Sequence, residues 1–396
     1  MRPMAVSVAL LGLFSPSLFA AGNAIAPYTL AQHEGRSWLI TPAGDRFVPL
    51  GLNHLTAALS GTTEKLKATR LTQMEQDLRD WHFNTVGYGA PEAMWATFPF
   101  VAEVSLTRCG HYLPKEQFAY DDVFDPTFQA EVRRKVAALC ARTKNNPNCI
   151  GYWWTDTPRW DLEIAQRLWG QTWVSAIRAL PDAAPGKRRY AEFLRSPGNH
   201  DDHAFLRLIA RELYSVTALA FREHDPRRLI FGERYKLGDH PPEVLEEAAK
   251  VVDIISVQPG PEVGPLAGPG RDEREFDRPR FDALHAQAGK PIVICDHQVS
   301  FLDPAQPVTL WHQFPTETEA ANCYERFLGD AFTRSYLIGY FRCQYWSQWM
   351  PAPRNLLKQG LRRVDGEVYG EIARRVSEAN ARLLEQFLRK RSQENK

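Results

Sequence analysis

The chain carries almost no net charge: 48 Lys and Arg balance 47 Asp and Glu, leaving +1. That balance gives no general attraction to nucleic acid or to an anionic membrane. Cysteine is sparse, and none of the six (Cys109, Cys140, Cys149, Cys295, Cys323, Cys343) forms a CxxC pair, which argues against a zinc ribbon. No Walker loop, HExxH or GxSxG occurs, and "GLNHLTAAL" after the first strand candidate is not GxGxxG. P-loop, dinucleotide, zinc-peptidase and serine-hydrolase chemistries therefore have no local signature. Beyond the N-terminus no apolar run approaches membrane length, so no membrane partner is expected.

What is present is a soluble composition, 44% hydrophobic and 24% charged, with apolar residues enough for a large core. Trp and Tyr are abundant, at 11 and 13. Accessible aromatic rings suit stacking on sugars, although most Trp side chains are expected in the core. The N-terminus, "MRPMAVSVALLGLFSPSLFAAGNA", has a positive Arg2, a short apolar stretch over 5–14 and small residues over 20–24. This reads as a secretory signal over 1–24, followed by one domain over 25–396 in the periplasm or outside the cell. An exported chain can form disulfides. Cys140 and Cys149 flank the turn "NNPN" and are the candidate local pair, whereas Cys149, Cys295 and Cys343 in strand-like runs also read as free buried thiols.

"SWLITPAGDRFVPLGLNHL" places two alternating runs around "PAGD", a β-hairpin pattern. Strand candidates follow at 47–52, 84–88, 100–106, 149–155, 228–233, 251–258, 291–296 and 337–345. Between them run helical stripes such as Leu71, Met74, Leu78 and Trp81, or Val132, Val136 and Leu139. Ile372, Val376, Leu383 and Phe387 line a last helix. Eight apolar strands alternating with helices predict an α/β fold, a (β/α)8 TIM barrel with an N-terminal β-hairpin. A doubly wound open sheet is the other arrangement compatible with the alternation.

In a barrel the strand C-termini line the active site. Those ends carry Asn53 and His54, Tyr88, the segment toward Arg108 and His111, Asp156, Glu233 and Arg234, and Gln258. Strand seven ends in Asp296, His297 and Gln298, and strand eight in Gln344, Tyr345 and Trp346. The segment 157–227 is long for a crossover and is expected to form a rim of the cleft. "PGPEVGPLAGPG" has Pro or Gly at eight of twelve positions and reads as a flap or solvent loop. In "NHDDH", an Asp capping the next helix is the simpler alternative to a metal site. Carboxylates amid amides, His and aromatics fit glycoside hydrolysis: one carboxyl protonates the leaving oxygen, and another attacks the anomeric carbon or activates water.

Several segments resemble glycoside hydrolase clan A, and more narrowly the agarases of glycoside hydrolase family 50. They are "PLGLNHL", "VFDPTFQAEV", "NNPNCIGYWWTDTPRW", "HDPRRLIFGERY", "VVDIISVQ", "GKPIVICDHQVSF" and "LIGYFRCQYWSQWMPAPRNLLKQGLRRVDGEVYGEI". The resemblance runs from residue 38 to the C-terminus and implies a barrel acting on a poly- or oligosaccharide without a cofactor or metal. It also implies an Asn-Glu pair ending strand four and a Glu nucleophile ending strand seven. Here Asp156 and Thr157 stand at the first two positions and Asp296 at the third. Thr157 cannot act as an acid. Three readings stay open: Asp156 supplies the proton, aimed by a bulge; Glu233 or His297 supplies it; or the chain binds sugar without cleaving it. The expected catalytic set is Asp296, Asp156 and Glu233, with Asn53, His54, His111, Gln258, His297 and Trp346 on the sugar. A lyase, with Arg234 and Arg108 holding a uronic carboxylate, is the competing enzyme class.

Overall fold

The computed structural model describes residues 25–259, 275–306, 308–309, 313–350 and 356–394, the last seven as backbone only. The expected signal over 1–24 and the Pro/Gly-rich segment from 260 onward lie outside the described residues.

Eight parallel strands close into a barrel. They are β1 (Leu50–Leu52), β2 (Thr85–Val86), β3 (Phe100–Val104), β4 (Cys149–Asp156), β5 (Leu229–Lys236), β6 (Ile255–Gln258), β7 (Ile292–His297) and β8 (Leu337–Arg342). β8 pairs with β1 through Tyr340–Leu50 and Arg342–Leu52, which closes the ring. Each strand lies in an apolar run because its two faces are both covered. The inner face packs Val101, Ile150, Trp153, Phe231, Val293 and Phe341 against one another. The outer face joins a second cluster shared with the helices.

The helices that matter for the site are α1 (Glu64–Asp80), α2 (Pro126–Thr143), α3 (Leu162–Trp169), α4 (Trp173–Arg178), α5 (Pro185–Arg195), α6 (Asp202–His224), α7 (Pro242–Ala249), α8 (Arg278–Ala288), α9 (Glu317–Ala331) and α10 (Gly370–Glu394). The long segment between β4 and β5 is therefore four helices, α3 to α6. Asp201 of "NHDDH" accepts the Ala204 amide at 2.8 Å and caps α6. The "PAGD" hairpin forms as expected, with Ile40 opposite Arg46, and Thr29–His33 adds a third antiparallel strand. Its Tyr28 and Leu39 side chains join the inner barrel cluster. The ribbon thus plugs the end opposite the strand C-termini.

The proposed Cys140–Cys149 bridge does not form. All six cysteines are free and buried, Cys140 on α2 and Cys149 at the start of β4. Burial pushes the Cys140 thiol up to about 11. It behaves as a small core residue.

Candidate active site

Two irregularities aim the acidic side chains into the barrel mouth. On β4, Trp153 belongs to the inner cluster and Trp154 to the outer one. Strict alternation would then turn Asp156 outward. Instead the β4–β5 register slips between Trp154–Glu233 and Asp156–Arg234, so one extra residue, Thr155, bulges. Its φ of 34° is left-handed, a strained choice for a β-branched residue. Its hydroxyl accepts the Leu106 and Thr107 amides, both at 3.2 Å, and so anchors the bulge to the end of β3. On β7 the register slips between Ile294–Tyr340 and His297–Arg342. Cys295 lines the inner cluster, yet Asp296 also turns inward and His297 outward.

Asp296 sits in a ring of donors. The Asn53 amide donates to it at 2.7 Å and also to the Cys295 carbonyl at 2.8 Å. The Asn53 side-chain oxygen accepts the Tyr88 amide, so its orientation is fixed by all three bonds. His54 Nε2 lies 3.7 Å from the second Asp296 oxygen, with a left-handed backbone at φ 55°. Burial alone would raise the Asp296 pKa, but His54, Arg234 and Lys358 hold it far below the usual carboxylate range. Burial, with Lys358 and Arg234, pushes His54 down to about 4. His54 is therefore neutral at pH 7, its Nε2 buried beside Asp296 without a hydrogen-bond partner among the described residues, while Arg234 and Lys358 are the standing positive charges.

Asp156 is clamped on both oxygens. Arg234 Nη2 stands 2.9 Å from Oδ2, and the Gln258 amide donates to Oδ1 at 2.8 Å. The Arg234 guanidinium lies 3.6 Å from the Tyr88 ring centroid, stacked over its face. Burial raises the Asp156 pKa, helped by Asp296 and opposed by Arg234. Thr157 is buried, with φ 40°; its hydroxyl meets His111 Nδ1 and its amide donates to the Arg234 carbonyl at 2.8 Å. No carboxyl replaces it at that position.

A cleft of about 260 Å³ opens beside these groups, lined by Tyr88, Glu103, Ser105, Tyr112, Asp156 and Arg234 among others. Glu103 is the acidic group that strand-end reasoning overlooks. It lies inside β3, two residues after the inward Val101, and so points inward by alternation. A Glu at an inward position of the apolar run "FVAEV" is itself the signal for it. Its Oε1 accepts the Gly89 amide at 2.9 Å, while Oε2 is buried with no hydrogen-bond partner among the described residues. Gly89 adopts φ 68°, which glycine takes without strain. Burial pushes the Glu103 pKa up to about 7 against the pull of Arg234 and Gly89, and Asp156 and Asp296 push the same way.

Three expected site residues lie elsewhere. Glu233 faces the helix layer, accepting Trp160 Nε1 at 2.7 Å and the Tyr214 hydroxyl at 2.5 Å. Alternation explains it, because its neighbour Arg234 takes the inward position. His297 stacks on Phe327 of α9 at 3.8 Å and meets the Tyr340 hydroxyl at 2.7 Å. Trp346 is buried under Arg70, its Nε1 donating to the Val364 carbonyl. Asp156, Asp296, Asn53, His54 and Gln258 do come together, and His111 covers Thr157 beside them. Among the described residues, His54, Asp296 and Cys343 place ligand-type atoms within 4.8 Å of one another. A cation there would face Arg234 and Lys358, whose charges act on both His54 and Asp296. Burial also holds the Cys343 thiol protonated, a poor metal ligand.

The fold is that of glycoside hydrolase barrels. The chain resembles an agarase structure (TM-score 0.71, 16% identity, covering 90% of this chain and 63% of that one). It also resembles an exo-β-agarase (0.76, 14%, 91% and 65%). A family 2 β-galacturonidase from Eisenbergiella tayi, bound to galacturonate, is more distant (0.55, 11%, 89% and 54%). The chain thus spans less than two thirds of either agarase. No family model matches the sequence, and no curated protein matches it.

Proposed function

We propose that the chain is an exported glycoside hydrolase that cleaves O-glycosidic bonds of a poly- or oligosaccharide, with an agarase-like substrate. One observation carries this reading: a firmly ionised carboxylate, Asp296, shares a barrel mouth with carboxyl groups whose pKa is raised. Paired carboxyls of opposite protonation state are the requirement of glycosidic cleavage. Asp296, oriented by Asn53, attacks the anomeric carbon or takes a proton from the attacking water. A raised carboxyl of the cleft wall, Asp156 or Glu103, protonates the departing oxygen. The agarase-like barrels and the "MRPMAVSVALLGLF" N-terminus support substrate class and export respectively.

A lyase would need a free cation for a uronic carboxylate. Arg234 is ion-paired with Asp156, and Arg108 with Asp121, each at 2.9 Å. The test is a panel of marine and plant polysaccharides, agarose included, with product analysis. Hydrolysis yields new reducing ends and saturated sugars. An ultraviolet-absorbing unsaturated product would establish the lyase instead, and binding without any product would establish a sugar-binding barrel.

A further inference from the structure

We propose that Glu103, inside β3, is the proton donor of this site, taking over the role that Thr157 cannot fill. The inference rests on the hydrolase reading above. Two cleft carboxyls compete for the role, and their hydrogen bonds separate them. Asp156 is ion-paired with Arg234 through one oxygen and accepts the Gln258 amide on the other. To carry a proton it must give up one of these donors. Glu103 accepts a single bond, from the Gly89 amide, and its other oxygen has no partner among the described residues. A buried carboxylate oxygen without a donor is costly, whereas a protonated one is itself a donor in search of an acceptor. The glycosidic oxygen of a sugar in the adjoining cleft is such an acceptor.

The charges around Glu103 fit the assignment. Arg234 of β5 favours its ionised form; Asp156 of β4 and Asp296 of β7 oppose it, and burial outweighs Arg234. Tyr88, just past β2, and Tyr112 are further titratable groups of the cleft wall, and burial raises the pKa of both. Because Asp156 neutralises Arg234 directly, Asp156 becomes a positioning residue: it holds the guanidinium over Tyr88 and keeps it from ionising Glu103.

The Glu103 O–H bond breaks and its proton goes to the glycosidic oxygen. The C–O bond to the anomeric carbon breaks, and its electron pair leaves with that oxygen as an alcohol. Water supplies hydroxide to the anomeric carbon, either directly or after Asp296 has bonded there, in which case the Asp296–carbon bond breaks and its electron pair returns to the carboxylate. The second proton of that water restores Glu103, directly or through Asp296 and solvent.

The test uses the full protein with agarose oligosaccharides and with phenyl and 2,4-dinitrophenyl pairs of a β-galactoside, β-galacturonide and β-glucuronide. In Glu103→Gln, kcat should fall about 10³-fold on oligosaccharides and phenyl glycosides, the scale of lost general acid catalysis. It should fall less than about tenfold on dinitrophenyl glycosides, whose leaving group needs no proton. The wild type is expected to lose activity above about pH 7, and that loss should disappear from the variant. Unchanged Tm and circular dichroism show that the barrel is intact, and Glu103→Asp, if Gln misfolds, should give the same leaving-group split. A uniform loss across leaving groups, or the split appearing in Asp156→Asn instead, overturns the assignment. Wild type inactive on every substrate sinks the hydrolase reading and this assignment together. Wild-type cleavage of oligosaccharides and phenyl glycosides that survives undiminished in Glu103→Gln sinks this assignment alone.

Discussion

Asp296, partly buried, and Glu233, fully buried, are carboxyls whose surroundings drive them in opposite directions. Asp296 gathers donors and cations, whereas Glu233 gathers only Trp160 and Tyr214, and burial pushes it up to about 7. A carboxyl whose folded pKa is raised costs stability as pH rises. Both states are protonated below the unfolded value, the unfolded chain ionises first, and the loss is complete above the folded pKa. Glu233→Gln should therefore gain stability over wild type between about pH 4.5 and 7, reaching roughly 3 kcal/mol. Paired melts across that range check it; a gap that stays flat with pH would mean Glu233 is not raised. Arg234 is the opposite case, a buried cation whose removal strands Asp156. Arg234→Met should destabilise by about 3–5 kcal/mol, measured by urea unfolding.

At the scale of elements, the bulges on β4 and β7 make the site. The strands themselves are legible in the sequence, because each is an apolar run between helical stripes. All eight expected strands overlap the barrel strands. The bulges are not legible, since "YWWTDT" and "VICDHQ" show no break in pattern. A side chain's direction at a strand end depends on one slipped register, so Asp156 and Asp296 could be named from the sequence but not aimed. For the same reason His297 and Glu233 read as mouth residues, although their neighbours Asp296 and Arg234 take the inward positions. Glu103 is hidden for a different reason: it lies within a strand, where an inward side chain is expected to be apolar core. The Thr155 hydroxyl ties the β4 bulge to β3. Thr155→Val leaves two buried amides without an acceptor and should cost about 2 kcal/mol. It should also lower kcat while leaving the other strands intact, which unfolding curves and kinetics on the same preparation can establish.

At the scale of the molecule, the barrel is held by packing and hydrogen bonds rather than covalent links. All six cysteines are free and buried. The Tm should therefore be the same with and without a strong reductant, and a fall of several degrees would reveal a disulfide. Export predicts that full-length protein made in bacteria appears in the periplasm or medium without about its first 24 residues, on the signal-peptide pattern; N-terminal sequencing of each fraction reads this directly. The central claim is that this barrel mouth hydrolyses glycosidic bonds with Asp296 as its charged carboxylate. Its most direct test is Asp296→Asn on a substrate that the wild type cleaves, with binding and turnover measured side by side. The account predicts a folded protein that still binds the saccharide and releases no product above background. A variant that cleaves as fast as wild type would contradict it.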